Sequence, residues 1–310
     1  MDCRMPTDHA LLSMMDVIMP APPPILYHYT SMQALLSIVE KGRIWATHIQ
    51  YLNDSSEIVT MWKTVLGRLE QRRANAKSPE EAAYLSKIAE AAQQRQSLNE
   101  FVASFSEKGD DLSQWRAYCS AGPGFSIGFA SSALQSKWVA DPTGCKASFV
   151  GAQLFKVRYL NEDNEQHTSE LDPAIDSLLQ IPSKLEPIVD VMGSPSNEQL
   201  VVAWLSVIAP SYKHAAFRDE CEWRMVMSKP HKPMPGQCFR AGRSSVIPYI
   251  EIELNRDIEF KLPDAYMIRE VIVGPTPSVD LSVNAIRSLF SSKGHPEVRV
   301  EASVVPYRHR

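Results

Sequence analysis

Cysteine is scarce in this chain of 310 residues: there are five, and no two of them form a CxxC pair. An odd, widely spaced set in a chain this long argues against a disulfide framework and against a tetrahedral zinc site. Long apolar runs are also missing, because no segment reaches the roughly 18–20 residues that a membrane span needs. The sequence therefore predicts a soluble, cytoplasmic protein without a membrane partner and without a metal site.

An excess of charge of one sign is absent too, since the formal net charge is only −4. A general nucleic-acid-binding protein is usually basic, so that class is not expected. The chain has neither a G-x-G-x-x-G stretch nor a G-x-x-x-x-G-K-[ST] stretch, which removes the usual Rossmann and P-loop signatures. The hydrophobic fraction of 44% and the charged fraction of 22% are those of an ordinary globular protein.

Proline is concentrated near the start of the chain, where Pro20 and Pro22–Pro24 predict a flexible, extended lead-in over residues 1–24. Residues 25–310 are expected to form a single α+β domain. It opens with a strand at Ile25–Tyr29, a helix that Thr30 caps and Gly42 ends, and a strand at Arg43–Thr47.

Helical patterns interrupt this domain twice. Asp54 with Glu57, and Ser78 followed by Pro79, start two polar helices that form an insertion at about 54–98. Residues 170–214 are also expected to be mostly helical, and a further helix covers 279–292. The other strands are expected at Phe101–Ser106, Gly124–Ala130, Gln153–Tyr159, Glu222–Met227, Val246–Leu254, Val271–Gly274 and Val298–Val304. Without regular βαβ alternation, this order favours a mixed, mainly antiparallel sheet.

The first candidate site is the Tyr27–Thr30 stretch at the strand-to-helix junction. Side chains alternate along a strand, so inward packing of Tyr27 and Tyr29 would leave His28 free to face a cleft. An imidazole there can bond to a ribose hydroxyl or a phosphate. The structural alternative is that His28 closes a turn and that Thr30 only caps the helix.

The second candidate is the Ser104–Glu107 stretch with the residues that follow it. Ser104 and Ser106 end a strand, and Trp115 and Tyr118 share one face of a short helix, where they line a pocket or simply fill the core. An alternative interpretation is a metal-dependent hydrolase or nuclease whose acidic residues are Glu107, Asp110, Asp111 and Glu220. The spacing of these acids, however, is not that of a metal-ligand motif.

The third candidate is the E-x-E-x-R row of Glu220, Glu222 and Arg224. On a strand these three share one face, while Trp223 and Met225 share the core face with Met227. Neighbouring like charges are costly unless a partner or a ligand relieves them. The row is therefore either part of a site or an ion-pair row at a sheet edge.

Together these stretches resemble a bacterial family of domains of unknown function, number 2971. The shared stretches are LYHYTS at 26–31, LND..E at 52–57, SFSE at 104–107 with the QW..Y that follows, YKH at 212–214, E.EWR at 220–224, IVGP at 272–275 and S.VPYR at 303–308. Their order and spacing cover most of the chain, which supports one elaborated domain. The resemblance implies no reaction.

A remoter resemblance is to the ADP-ribosyltransferase superfamily. His28 and Thr30 are similar to its H-x-T motif, Ser104 or Ser106 to its second motif, and Glu222 with Glu220 to its E-x-E motif. The chain departs from that superfamily in lacking a clear second-strand tyrosine and in carrying a long helical insertion.

This second resemblance implies an enzyme that cleaves the nicotinamide–ribose bond of NAD, as an ADP-ribosyltransferase or a glycohydrolase, with the nucleotide as a small-molecule partner and an unknown acceptor. Glu222, Glu220 and His28 would be catalytic. Glu222 would stabilise the developing positive charge, and Glu220 would orient the acceptor. The residues that it implies for binding the dinucleotide are His28, Tyr29, Thr30, Ser106, Trp115, Tyr118 and Arg224. As an enzyme of this kind, the protein would be a toxin or a defence effector. The rival hypothesis is a non-catalytic nucleotide-binding or interaction domain of a bacterial defence or stress system.

Overall fold

The computed structural model describes residues 20–52, 55–94, 100–118, 123–134, 137–139, 153–160, 172–179, 198, 201–202, 205, 209–228, 236–242, 244–257 and 267–306. Helices and a large, mostly antiparallel sheet make up the described chain, which confirms the α+β class. Most of the predicted lead-in, residues 1–19, lies outside the described residues. In the part of the chain that is described, no helix is long and apolar enough to cross a membrane.

The sheet has 11 strands, eight of which follow the order β10-β11-β2-β3-β1-β4-β12-β13, while β9 and β6 extend it from β3, and β5 pairs with β11. The strands are β1 (Ile25–Ser31), β2 (Arg43–His48), β3 (Glu100–Ser106), β4 (Gly124–Ala130), β5 (Lys137–Val139), β6 (Gln153–Lys156), β7 (Arg158–Leu160), β8 (Tyr212–His214), β9 (Glu222–Ser228), β10 (Gln237–Ala241), β11 (Val246–Asp257), β12 (Ile268–Val273) and β13 (Arg299–Ala302). The described α-helices are α1 (Met32–Lys41), α2 (Ser55–Ala74), α3 (Pro79–Gln94), α4 (Leu112–Tyr118), α5 (Asp172–Leu179) and α6 (Val279–Ser292).

The opening strand–helix–strand unit forms as predicted, but its cap is shifted by one residue. Thr30 belongs to β1 and is buried, so the prediction that it caps the helix is wrong. Ser31 takes that place, and its hydroxyl accepts a bond from the Ala34 amide. Gly42 ends α1 with φ +62°, a left-handed conformation that costs glycine little.

The sheet opens into a fork at β3. One edge of β3 pairs with β2 as far as Thr47 opposite Val102, and then with β1 at Tyr27 opposite Ser106. Between these two points, residues 103–105 have no ladder partner on that edge among the described strands. The other edge of β3 is paired with β9 along its whole length. Strands β1 and β2 therefore diverge, and β3 with β9 forms the base of the fork.

The main core lies on one face of this sheet. Helix α1 contributes Leu35 and Ile38 to it, and α6 contributes Ile286 and Phe290. Alternate residues of β9, namely Trp223, Met225 and Met227, enter the same core, which confirms the predicted core face of that strand. These two helices hold the forked sheet from one side.

The helical insertion has a core of its own. Leu69 of α2 and Ile88 of α3 are buried with Ile175 of α5 and with Tyr212 of β8. The 54–98 insertion and the 170–214 segment, separate in the sequence, thus pack together. The end of the second segment is a strand, β8, where a helix was expected. Residues 53–54, 95–99, 170–171 and 180–197 lie outside the described residues.

Candidate functional site

A cleft of about 510 Å³ lies at the fork between β1 and β2. This volume is within the usual range for small-molecule sites. Its walls come from β1, α1, β2 and β3, with contributions from the start of β9 and from β10. The cleft brings together several residues that lie far apart in the sequence, including His28, Ser104, Glu222 and Arg240.

His28 fills the gap in the ladder between β1 and β3. Its Nδ1 lies 2.9 Å from the carbonyl oxygen of Ser104, and its ring contacts Phe105 with ring centroids 5.7 Å apart. Burial lowers the pKa of His28, against a smaller opposing effect of the bond to Ser104. The side chain is therefore held as a neutral imidazole that bridges the open edge of the sheet.

The strand register places His28 and Glu222 on opposite faces of the sheet. Tyr27 is opposite Ser106, and Ser106 is opposite Glu222, so these three share one face. His28 then points to the other face, as the predicted alternation of β1 requires. Both residues reach the same cleft because the sheet is open between β1 and β2.

Glu222 is bound from two sides at the start of β9. Arg224 forms a bidentate pair with it, Nε to Oε1 at 2.8 Å and Nη2 to Oε2 at 3.0 Å. The Nζ of Lys213 lies 3.3 Å from Oε2, and the Ser104 hydroxyl also bonds to this carboxylate. Its backbone amide donates to the Tyr159 hydroxyl at 2.7 Å. Glu222 is thus fixed in position before any ligand arrives.

Lys213 relieves the like-charge repulsion that the sequence predicts between Glu220 and Glu222. The side chain of Lys213 on β8 is only 1% exposed, and its Nζ also lies 2.7 Å from Oε2 of Glu220. Two carboxylates and two cations, from Lys213 and Arg224, make up one neutral group. We refer to these four residues as the ion cluster.

The charge state of Glu222 follows from this cluster. Burial alone would raise its pKa, but the charges of Arg224 and Lys213 and the hydrogen bonds from Arg224 and Ser104 outweigh burial and lower it. Glu222 is therefore ionised at neutral pH. The Glu220 side chain is more open than that of Glu222, 19% against 6% exposed, so it is the more accessible carboxylate.

Glu220 does not lie on the strand with Glu222. It ends the short 3₁₀ helix Ala215–Glu220, and Cys221, with φ +46°, turns the chain into β9. The Ser106 hydroxyl donates to the Glu220 carbonyl at 2.7 Å and accepts from the Lys108 amide at 3.0 Å. Ser106 therefore positions the backbone at Glu220.

The predicted aromatic residues contribute less to the cleft. Tyr29 and Trp115 form a buried edge-to-face pair, with centroids 4.8 Å apart, on the side of β1 away from α1. Tyr29 is among the lining residues and Trp115 is not. Thr30 also lines the cleft, in the strand and not as a cap. The side chain of Tyr118 lies outside the described residues.

The acids suggested for a metal site have separate partners. Glu107 accepts a hydrogen bond from the Trp223 indole and pairs with Lys156. Asp111 accepts a hydrogen bond from the Ser113 amide. Over the described part of the chain, no three His, Cys, Asp or Glu side chains are grouped so as to hold a metal ion.

The far end of the cleft was not foreseen. Trp45 and Thr47 of β2 and Arg240 of β10 line it. The alternation of side chains along R-I-W-A-T-H puts Trp45 and Thr47 on one face of β2, so the sequence alone could have predicted that they lie together. Nothing local signals Arg240, because β10 was not predicted. Lys213 lies in the YKH stretch at 212–214, where nothing in the local sequence indicates its role in the ion cluster.

The fold and the cleft define an α+β protein with a small-molecule-sized site beside a buried ion cluster. The sequence model of the family described as "Protein of unknown function (DUF2971)" matches residues 114–225, which include Lys213, Glu220 and Glu222. This confirms the first resemblance over that stretch. No curated protein and no solved structure matches the chain, so the likeness to the ADP-ribosyltransferase superfamily stays a prediction.

Proposed function

We propose that the fork cleft binds NAD and that the protein cleaves the nicotinamide–ribose bond. One observation carries the proposal: an ionised glutamate, Glu222, is held rigidly in a cleft of small-molecule size that His28 and Ser104 also line. Fixed groups of this kind, aimed at a reacting centre, are what electrostatic catalysis requires.

The proposed step breaks the bond between the ribose anomeric carbon and the nicotinamide nitrogen. The bonding pair leaves with nicotinamide, which becomes neutral, and the ribose acquires oxocarbenium character as in glycoside cleavage. Water or an acceptor hydroxyl, carboxylate or amine then bonds to the anomeric carbon, and water, a hydroxyl or an amine also loses a proton. The Glu222 carboxylate would hold a ribose hydroxyl, and the more open Glu220 would receive the proton of the attacking group.

A second candidate is nucleotide binding without cleavage. The ion cluster favours it, because both oxygens of Glu222 already accept bonds from Arg224, and Oε2 is also close to Lys213. Two cations near this carboxylate offset its field, which reduces what it can contribute to a developing positive charge. Binding would then be the whole function of the cleft.

The first test is thermal unfolding of the full chain with NAD, with AMP as the comparison. A ligand at 100 times its dissociation constant stabilises the native state by about 2.7 kcal/mol, which is readily measured. We expect NAD to raise Tm by more than AMP does, and nicotinamide to appear on incubation. Stabilisation without nicotinamide supports the second candidate, and no stabilisation at millimolar NAD contradicts both.

The second test uses E222Q, which keeps the shape of the side chain and removes its charge. We expect nicotinamide release to fall by at least about 100-fold while NAD still stabilises the protein. The matched control is E301Q, on an exposed position of β13. Because E222Q removes the more buried carboxylate of the ion cluster, E220Q is made in parallel at the more exposed one, and it should slow release without loss of the native fold. Normal turnover in both variants would refute the assignment.

A further inference from the structure

Arg240 stands out at the far end of the cleft because its charge is not balanced. Its guanidinium lies over the Trp45 ring, with Cζ 5.6 Å from the centroid, and Nη2 donates to the Thr47 hydroxyl at 2.9 Å. Its Nε is buried and has no hydrogen-bond acceptor in the structure as described. Burial lowers the pKa of Arg240, against a smaller opposing effect of Tyr249.

The other cations that line the cleft are paired with acids. Arg43 lies on the same strand as Trp45 and bonds to Glu251 at 2.8 Å and to Glu253 at 3.3 Å. Arg224 belongs to the neutral ion cluster. Arg240, by contrast, has no carboxylate partner among the described residues. The sequence around it also contains no aspartate or glutamate between Lys229 and Ile250.

The strand register places Arg240 and Glu222 on one face of the sheet. Thr47 is opposite both Val102 and Tyr249, and Arg240 is opposite Ile247, so all of these side chains share the face of Ser104 and Ser106. Four strand spacings separate β9 from β10, so the two ends are roughly 15–20 Å apart along the sheet. A ligand that contacts both ends must be extended.

We propose that Arg240, with Thr47 and the Trp45 ring, forms a subsite for a phosphoryl group of the bound ligand. A guanidinium offers several N–H donors that match phosphate oxygens, and Arg240 lines this end of the cleft. The subsite explains why a partly buried cation is left without an acid. Its place in a nucleotide site rests on the proposed function, since the extended ligand would then be a dinucleotide.

The test measures binding of inorganic pyrophosphate to the full chain by calorimetry at constant ionic strength. We expect R240Q to weaken pyrophosphate binding by about 10- to 100-fold, and R240K, which keeps the charge but loses the planar fork of donors, to give a smaller loss. The matched control is R269Q on an exposed position of β12, which removes the same charge and should bind as the wild type does. A wild type that does not bind pyrophosphate overturns the proposal, as does equal binding by wild type and R240Q.

Measurements with NAD distinguish this inference from the proposed function. Pyrophosphate binding that depends on Arg240, in a protein that neither binds nor cleaves NAD, supports the subsite and refutes the NAD proposal. NAD cleavage with the same KM in wild type and R240Q refutes the subsite and leaves the NAD proposal standing. The phosphoryl assignment would be overturned if acetate, at a concentration that carries the same total charge, competed as well as pyrophosphate does.

Discussion

Cys221 shows how one residue sets the geometry of the ion cluster. Its left-handed backbone, φ +46°, lets the chain leave the 3₁₀ helix and enter β9 within a single residue. Its carbonyl accepts from the Glu107 amide at 3.1 Å, which fixes the turn against the end of β3. Because of this turn, Glu220 and Glu222 approach the same lysine from two different elements.

We predict that C221V destabilises the protein by roughly 1–3 kcal/mol, because a β-branched side chain is strained in the left-handed region. C221G should be near neutral, since relief of strain offsets the extra freedom that glycine has in the unfolded chain. Denaturant unfolding measures both. C238V, at a strand position of β10, is the control and should change stability little. A destabilised C221G would show that the thiol and not the backbone matters.

Among the elements, the segment after β13 is tied to the loop before α4 by Asp110. Asp110 accepts bonds from the Trp115 indole at 2.7 Å, from the Ser303 hydroxyl at 2.6 Å and from the Val304 amide at 2.8 Å. It therefore joins the loop before α4 to the segment that follows β13. This accounts for Asp110 structurally, although it was considered as a metal ligand.

We predict that D110A destabilises the protein by roughly 2–4 kcal/mol, because it leaves the buried indole N–H of Trp115 without an acceptor and breaks two further bonds. The control is D280A, which removes an exposed acid from the first turn of α6 and should cost no more than about 1 kcal/mol. Chemical denaturation compares the two. Equal losses in both variants would contradict the role given to Asp110.

Elements with a strong local pattern were predictable from the sequence, and their neighbours in the sheet were not. The bounds of β4 and α6 were predicted as the structure has them, because apolar runs and helical periodicity are local properties. The short strands β5 and β10 carry little of either signal. Lys213 and Arg240 lie on β8 and β10, and only the long-range pairing of β8 with β7 and of β11 with β2 brings these strands to the ion cluster and to the cleft.

At the scale of the whole molecule, the fork is what creates a site. In a fully paired sheet, a neighbouring strand would pair with residues 103–105 of β3. In this protein, that edge of β3 is open between the point where β2 ends and the point where β1 begins. Helix α1, which packs in the main core, lines one side of this gap, and Glu222 and Arg224 line it from the other face of the sheet. His28 is the group that spans the gap, so its protonation should affect the entire fold.

We predict that stability falls as the pH is lowered below 6.5, the ordinary pKa of histidine. Since burial lowers the pKa of His28, the unfolded chain takes up the proton first, so the stability present above pH 6.5 is lost as the pH falls towards the folded-state pKa. One such proton gives a slope of up to about 1.4 kcal/mol per pH unit. The lowered pKa of Glu222 acts in the same direction, but only below its ordinary value of 4.5.

Denaturant unfolding between pH 5 and pH 7.5 isolates the contribution of His28 from that of Glu222, because the carboxylate stays ionised across this range. H28N replaces the imidazole with an amide that can still donate to the Ser104 carbonyl, and it should flatten the slope. A slope that persists in H28N would mean that another group senses acid in this range and that the fork does not depend on a neutral His28.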